Sequence, residues 1–215
     1  MAQNRYIDTR GSVTEPFTFT EAIIKGLAPG GGLLVPQEIP ALSADELLEL
    51  ASVPYAERAA RIFIKFGIDL ADERVRALCR TAYGDNFDTP AIAPISHVAD
   101  GRYVLELWHG PTSAFKDMAL QCLPVFFSAA VEEQRAKGAS TEDYLILVAT
   151  SGDTGKAALE GFKDRAHTAV TVFYPKDGVS DIQRKQMAIS LFLDDLAFAI
   201  GNTTVNDVTA HHCLG

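Results

Sequence analysis

The chain has 215 residues, which is enough for one ordinary domain or two small ones. Hydrophobic residues make up 47% and charged residues 22%, the balance of a soluble globular protein with a substantial core. The formal net charge of −9 argues against nucleic acid as the main partner, because binding a phosphate backbone requires clustered lysines and arginines.

The first ninety residues are predicted to form a mostly helical domain. Capping boxes at Thr18 to Glu21 and at Ser43 to Glu46 start two helices, and Gly26 ends the first. Another helix is predicted to begin at Pro54 and to end near Gly67. A further helix buries one apolar face, made of Val75, Leu78, Cys79 and Ala82. This domain shows no residue pattern that indicates chemistry.

An α/β domain is predicted to begin at residue 91 and to run to residue 187. Residues 92–98 and 103–107 predict a β-hairpin around an Asp-Gly turn. The segment that contains Lys116 follows and leads into a long helix that ends near Gly138. Pro124 is expected to interrupt this helix, because proline removes an amide donor and crowds the preceding turn.

A strand, a loop, a helix and a second strand come next. Residues 144–149 are a continuous apolar run, which is typical of a strand covered on both faces. Residues 155–162 have a helical pattern, and residues 170–174 form another apolar run. This βαβ order predicts a parallel sheet and an α/β layer architecture.

The loop Ser151-Gly152-Asp153-Thr154-Gly155 follows the first of these strands, where open α/β sheets bind ligands. Its glycines allow backbone amides to approach an anion, and the helix N-terminus adds partial positive charge. The hydroxyls of Ser151 and Thr154 are further donors. Asp153 would repel an anion, so it is expected to cap the helix or to accept from a hydroxyl or an amine. On its own, the loop favours an ordinary capped turn over a ligand site.

Lys116 is the candidate for covalent chemistry. A lysine near a helix start is usually solvated, and Asp117 next to it could neutralise it. Its sequence neighbourhood is apolar, with Trp108, Phe115, Met118 and Leu120. Such surroundings disfavour the charged form and release the neutral amine that forms an imine. The lysine and the 151–155 loop together indicate pyridoxal phosphate chemistry.

The sequence gives little support for a membrane protein, a secreted protein or a metal-binding protein. No apolar run approaches the roughly 20 residues needed to cross a bilayer, and the N-terminus lacks the apolar core of a signal peptide. Three cysteines form neither a CxxC pair nor an even framework, which predicts reduced thiols in the cytoplasm. His211, His212 and Cys213 are adjacent, but adjacent residues need not converge on one ion, so no metal site is predicted.

Two motifs carry a family resemblance. Residues 107–117 read Leu-Trp-His-Gly-Pro-Thr-Ser-Ala-Phe-Lys-Asp, and residues 149–155 read Ala-Thr-Ser-Gly-Asp-Thr-Gly. Both closely resemble threonine synthase, a family of fold-type II pyridoxal phosphate enzymes. Segments in residues 9–33 and 174–187 agree, so the resemblance covers residues 5 to 187.

The resemblance implies that Lys116 forms the imine with pyridoxal phosphate and later moves protons. It implies that the 151–155 loop lies beside the cofactor and the anionic groups of the substrate. The reaction would convert O-phospho-L-homoserine and water into L-threonine and phosphate, the last step of threonine biosynthesis. His109, Thr112, Ser151 and Thr154 are candidate substrate-binding residues, although His109 could equally be a packed histidine. Glu106 is expected to be structural.

Residues 188–215 do not resemble the family and are expected to be a divergent tail. The family's loop for the cofactor phosphate, and its groups facing the pyridine nitrogen, lie later and are not matched. We therefore expect a shortened N-terminal piece, produced by a frameshift or a premature stop, with exposed sheet edges and apolar surface. Such a chain would be inactive or poorly folded. Two alternatives stay open: a non-catalytic remnant or small-ligand-binding fragment, and another fold-type II lyase that acts on serine or threonine.

Overall fold

The structure is a computed structural model that describes residues 3–139, 142–150, 152–175, 179–190 and 208–214. The chain divides into two compact units. Unit 1 comprises Met1–Gly84 and Ala129–Ser140, and unit 2 comprises Asp85–Ser128 and Thr141–Gly215. In the described part of the chain, no helix is long and apolar enough to cross a membrane.

Unit 1 is mainly helical. A short antiparallel pair joins β1 (Tyr6–Asp8) to β2 (Leu34–Pro36). The helices of the N-terminal segment are α1 (Phe19–Lys25), α2 (Ala44–Ala51), α3 (Tyr55–Lys65) and α4 (Asp72–Ala82). The four side chains predicted to line one helix face in α4 are all buried, which confirms that prediction: Val75, Leu78, Cys79 and Ala82.

Both predicted capping boxes are present in unit 1. The Thr18 hydroxyl accepts from the Glu21 amide, and the Glu21 carboxylate accepts from the Thr18 amide. The same reciprocal pair joins Ser43 to Glu46. Each pair satisfies two amide donors that have no partner within the helix. Gly26 follows α1 with a φ of 69°, a conformation that favours glycine, so the predicted end of this helix is confirmed.

The predicted hairpin opens unit 2, with a later start than the sequence suggested. It consists of β3 (Ile95–Ala99) and β4 (Arg102–Leu105), paired antiparallel. The turn residues Asp100 and Gly101 have φ values of 50° and 74°, as expected for an Asp-Gly turn. Ile92 has a φ of 62°, which a strand cannot accommodate, so the strand does not begin there.

The long helix after Lys116 is interrupted, as predicted. It is divided into α5 (Asp117–Leu120) and α6 (Leu123–Ala136). Pro124 is the second residue of α6, where its missing amide would have had no partner within the helix. The break therefore falls just before the proline.

A βαβ unit follows, and its strands are parallel as predicted. It consists of β5 (Tyr144–Ala149), α7 (Asp153–Phe162) and β6 (Thr168–Pro175). Beyond it come α8 (Asp181–Ser190) and β7 (Val208–Leu214), and β7 pairs antiparallel with β6. The order in this sheet is β5-β6-β7. This combination of helices and strands agrees with the predicted α/β class.

One face of β5 is exposed, contrary to the prediction that both faces are covered. Leu145 and Leu147 are 54% and 64% exposed, whereas Tyr144, Ile146 and Val148, which alternate with them, are half-buried. The helix α7, whose residues Ala157, Ala158 and Leu159 are buried, contacts both β5 and β6. The apolar run alone does not say which face is packed. The exposed leucines confirm the expected apolar surface.

Candidate functional site

Lys116 immediately precedes α5 in unit 2 and is half-buried. Its ammonium lies 4.9 Å from the centre of the Phe115 ring. Phe115 is 56% exposed and Trp108 is 49% exposed. The apolar side chains expected around the lysine are thus nearby in sequence, but two of the largest are open to solvent.

Asp117 shapes the loop that carries Lys116. Its carboxylate is fully buried and accepts from the amide of Thr112 at 2.8 Å and from the hydroxyl of Thr112 at 2.7 Å. A side chain at Gly110 would approach a carboxylate oxygen of Asp117 within 2.6 Å, so only glycine fits there. Ser113 has a φ of 54°, an uncommon conformation for serine. The carboxylate therefore binds Thr112, and the loop is held in one conformation.

The loop predicted to bind an anion lies between β5 and α7. Ser151 lies outside the described residues. The amides of Gly152 and Gly155 both donate to the hydroxyl oxygen of Thr150, at 3.1 and 3.3 Å. Thr154 is half-buried in the first turn of α7. Both glycine amides therefore form hydrogen bonds within the loop.

The two glycines of this loop are needed for close packing. Gly152 has a φ of 153°, and a side chain there would come within 2.5 Å of the Gln183 amide nitrogen on α8. A side chain at Gly155 would come within 2.5 Å of Thr150 and 2.8 Å of Val172 on β6. Close packing between α7, α8 and β6 therefore requires a residue without a side chain at both positions.

Asp153 faces two donors, one side-chain amide and one lysine ammonium, in agreement with the predicted acceptor role. The Gln183 side-chain amide donates to it at 3.0 Å, and the Lys156 ammonium lies 3.2 Å from the same oxygen. The Gln183 bond, followed by the bond and charge of Lys156, holds the pKa of Asp153 below its usual value despite partial burial. The charge of Lys116 acts in the same direction.

Lys156 is a site residue that sequence reasoning missed. It is only 7% exposed, and its ammonium donates to the carbonyl of Thr112 at 3.0 Å and to the Gln186 side chain at 3.1 Å. A lysine in the first turns of a helix is normally expected to be exposed to solvent. Its one sequence signal is Asp153, three residues earlier, which is ion-pair spacing on a helix.

His109 is held between two carboxylates. Its Nδ1 lies 2.5 Å from Asp88 and its Nε2 lies 2.7 Å from Glu106. The hydrogen bond to Glu106, followed by that to Asp88, raises the pKa of His109. Glu106 also accepts from the hydroxyl of Ser96. Because both ring nitrogens have partners, the geometry favours a packed, charged histidine over a substrate contact.

Within the described residues, no group of three or more His, Cys, Asp or Glu side chains is arranged to hold a metal ion. The side chains of His211, His212 and Cys213 lie outside that description.

Comparisons with known proteins agree on one enzyme family. A family model described as threonine synthase N terminus matches residues 5–83. Threonine synthase-like 1 of Homo sapiens is 43% identical over 178 residues, which are 79% of this chain and 23% of that protein. Threonine synthase of Pseudomonas aeruginosa is 37% identical over 188 residues, which are 87% of this chain and 38% of that protein.

A solved structure agrees with these relatives. The crystal structure of PLP-bound threonine synthase from Brucella melitensis superimposes with a TM-score of 0.76 at 36% identity. The match covers 86% of this chain and 38% of that chain. The chain therefore spans about 38% of the length of the Pseudomonas aeruginosa and Brucella melitensis threonine synthases.

Proposed function

We propose, for a chain whose N-terminal part belongs to the threonine synthase family, that its function is the pyridoxal phosphate-dependent formation of threonine. The substrates would be O-phospho-L-homoserine and water, and the products L-threonine and phosphate. Because the chain spans only part of the relatives' length, this activity is tested on the chain itself. The buried thiols of Cys79 and Cys122 suit the reducing cytoplasm.

The observation that carries this proposal is a hydrogen bond between the two family motifs. The ammonium of Lys156, which follows the 152–155 loop on α7, donates at 3.0 Å to the carbonyl of Thr112 in the loop of residues 110–117 that carries Lys116 (the lysine loop). A second observation supports it: Gln183, then Lys156 and then Lys116 lower the pKa of Asp153. These contacts support the proposal that the two motifs contribute to one site.

The residues present fit the amine-binding end of pyridoxal phosphate. Lys116 supplies a half-buried primary amine, and the neighbouring Asp117 carboxylate is engaged with Thr112. The Lys116 amine would therefore bond to the carbonyl carbon of pyridoxal phosphate. The amides of Gly152 and Gly155 are bonded to Thr150, so other donors would hold the cofactor phosphate.

When bound, pyridoxal phosphate supplies an electron sink for negative charge at the α-carbon of the substrate. The Lys116 amine would accept and donate protons at the α- and β-carbon atoms of the substrate. Asp117 keeps the loop in place through two bonds to Thr112. We assign Thr112 and His109 to positioning rather than to substrate contact, because the Thr112 hydroxyl and both His109 ring nitrogens are engaged.

Absorbance spectroscopy tests the proposed cofactor role. Purified protein given pyridoxal phosphate should develop an imine band that borohydride removes. Lys116→Ala should lack this band, because the imine-forming amine is gone. Lys163→Ala, which changes a lysine at the end of α7, should retain it. Absence of the band from folded wild-type protein would contradict the proposal.

A second candidate function is binding of a small ligand without catalysis. The exposure of Phe115 beside Lys116 favours it, because a catalytic site normally excludes water from its reacting groups. Phosphate release from O-phospho-L-homoserine distinguishes the two functions. Release that depends on Lys116 supports threonine formation, whereas an imine band without release supports ligand binding.

A further inference from the structure

Lys156 is a buried lysine whose role the proposed chemistry does not explain. Its side chain is 9% exposed, and it lies on α7 beside the buried residues Gly155 and Ala157. A buried ammonium is costly unless it is paired and hydrogen-bonded. Burial of a positive charge at this position therefore costs folding free energy.

The ammonium has three partners for its three donor hydrogens. They are the carbonyl oxygen of Thr112 at 3.0 Å, the side-chain oxygen of Gln186 at 3.1 Å and the carboxylate of Asp153 at 3.2 Å. The carboxylate compensates the charge, and the two neutral oxygens complete the hydrogen bonding. Lys156 thus connects the lysine loop, α7 and α8.

Thr112 is held at all three of its polar groups. Its amide and its hydroxyl donate to Asp117, and its carbonyl accepts from Lys156. The next residue, Ser113, has the uncommon φ of 54°. Such a conformation costs free energy and persists only where surrounding contacts enforce it. The bond from Lys156 joins this part of the loop to α7.

We propose that Lys156 is a positioning residue: its ammonium fixes the Thr112 carbonyl and thereby holds residues 110–117 in the conformation that presents Lys116 to the cofactor. The second half of this statement rests on the proposed function, whereas the first half concerns the loop alone. Lys156 acts through Thr112 and forms no bond to cofactor or substrate.

Three variants test this proposal. Lys156→Met removes the donor and the charge but keeps much of the side-chain length. It should still fold, because the Asp153 side chain is 44% exposed and retains its bond from Gln183. Lys156→Arg keeps a cation and is the conservative replacement. Lys163→Met makes the same substitution at the end of α7 and is the control.

Hydrogen exchange without cofactor measures the loop directly. Amides of residues 112–117 should exchange about tenfold faster in Lys156→Met, the effect expected for losing a hydrogen bond from a charged donor. The Lys163→Met control should leave them unchanged. If Lys156→Met fails to fold, the same measurement on Gln186→Leu, which removes one acceptor of the ammonium, should show faster exchange in this loop.

The imine equilibrium supplies the second readout. The pyridoxal phosphate concentration that half-saturates the imine band should rise about tenfold in Lys156→Met and return to within about threefold of wild type in Lys156→Arg. Unchanged exchange in residues 112–117 of the variants would overturn the proposal. So would faster exchange in the loop with an unchanged imine equilibrium. If wild type forms no imine, the proposed function fails, while the exchange data still decide whether Lys156 fixes the loop.

Discussion

The ammonium of Lys156 donates to the backbone carbonyl of Thr112 across 3.0 Å. This bond joins two segments that are 44 residues apart in the chain. It also gives the lysine loop a support that comes from outside the loop itself. Lys116 therefore lies on a loop in which Thr112 is bonded to Asp117 from within the loop and to Lys156 from α7.

Asp117→Ala is expected to destabilise this loop and the fold. The substitution leaves the buried amide and hydroxyl of Thr112 without their acceptor. An unsatisfied buried donor costs about 1–3 kcal/mol, so the free energy of unfolding should fall by about 2 kcal/mol or more. Urea denaturation measures this difference.

The matched control is Asp181→Ala. The Asp181 side chain is 82% exposed and pairs with Arg184 on the surface of α8. Exposed pairs of this kind contribute at most about 1 kcal/mol. Equal losses in the two variants would show that the bonds from Thr112 to Asp117 do not support the fold.

Gly161→Ala is expected to destabilise the protein, although alanine normally favours a helix over glycine by about 1 kcal/mol. The methyl group would collide with the backbone of α5 at the carbonyl oxygen of Leu120. It would also lie 3.0 Å from Pro124. Thermal unfolding should show a lower Tm. Gly138→Ala has open space around the new methyl group and tests the cost of its positive φ alone. A raised Tm for Gly161→Ala would contradict the close packing of α5 and α7.

His109→Gln should remove a pH-dependent part of the stability. The pKa of His109 is raised, first by Glu106 and then by Asp88. Because its folded pKa lies above the unfolded value near 6.5, the stabilisation is fully present below that value and is lost as the pH rises through the folded pKa.

Urea denaturation at a series of pH values checks this sign. The difference in free energy of unfolding between wild type and His109→Gln should shrink as the pH is raised above 6.5 and through the folded pKa of His109. It should also shrink in acid, because the lowered pKa of Glu106 means that its contribution is lost as the pH falls through that pKa. A difference that is independent of pH would contradict the charged histidine.

Ser43→Ala should weaken the start of α2. Loss of an N-cap side chain costs about 1 kcal/mol, and here the hydroxyl accepts from the Glu46 amide. Ser43→Asp keeps an acceptor at the same position and should retain most of the stability. Chemical denaturation of the two variants compares them. Equal losses would show that the capping bond does not contribute.

The elements that the sequence predicted well depend on local signals. The capping box from Thr18 to Glu21 and the Asp100-Gly101 turn act within four residues, so neither needs knowledge of the rest of the fold. The parallel pairing of β5 and β6 followed from the order of strand and helix. These signals are sufficient to place the Lys116 segment and the 152–155 loop in one α/β unit.

The features that the sequence did not predict depend on contacts between distant segments. Burial of Lys156 requires Thr112 and Gln186, which lie 44 and 30 residues away. The exposure of Leu145 depends on which face of β5 the helix α7 covers. The close packing of Gly152 against Gln183 and of Gly155 against Val172 also depends on distant segments. The predicted approach of an anion to this loop stays a prediction. The domain boundary at residue 90 and the roles of the site residues stay predictions.

Peptide mapping of the borohydride-reduced protein tests the central claim most directly. Wild-type protein is incubated with pyridoxal phosphate, reduced and digested, and the modified lysine is located by mass spectrometry. The account predicts that the pyridoxyl group is on Lys116, and that Lys156 is unmodified because its ammonium is buried and fully engaged. Modification of Lys156 in place of Lys116, or equal labelling of exposed lysines throughout the chain, would contradict it.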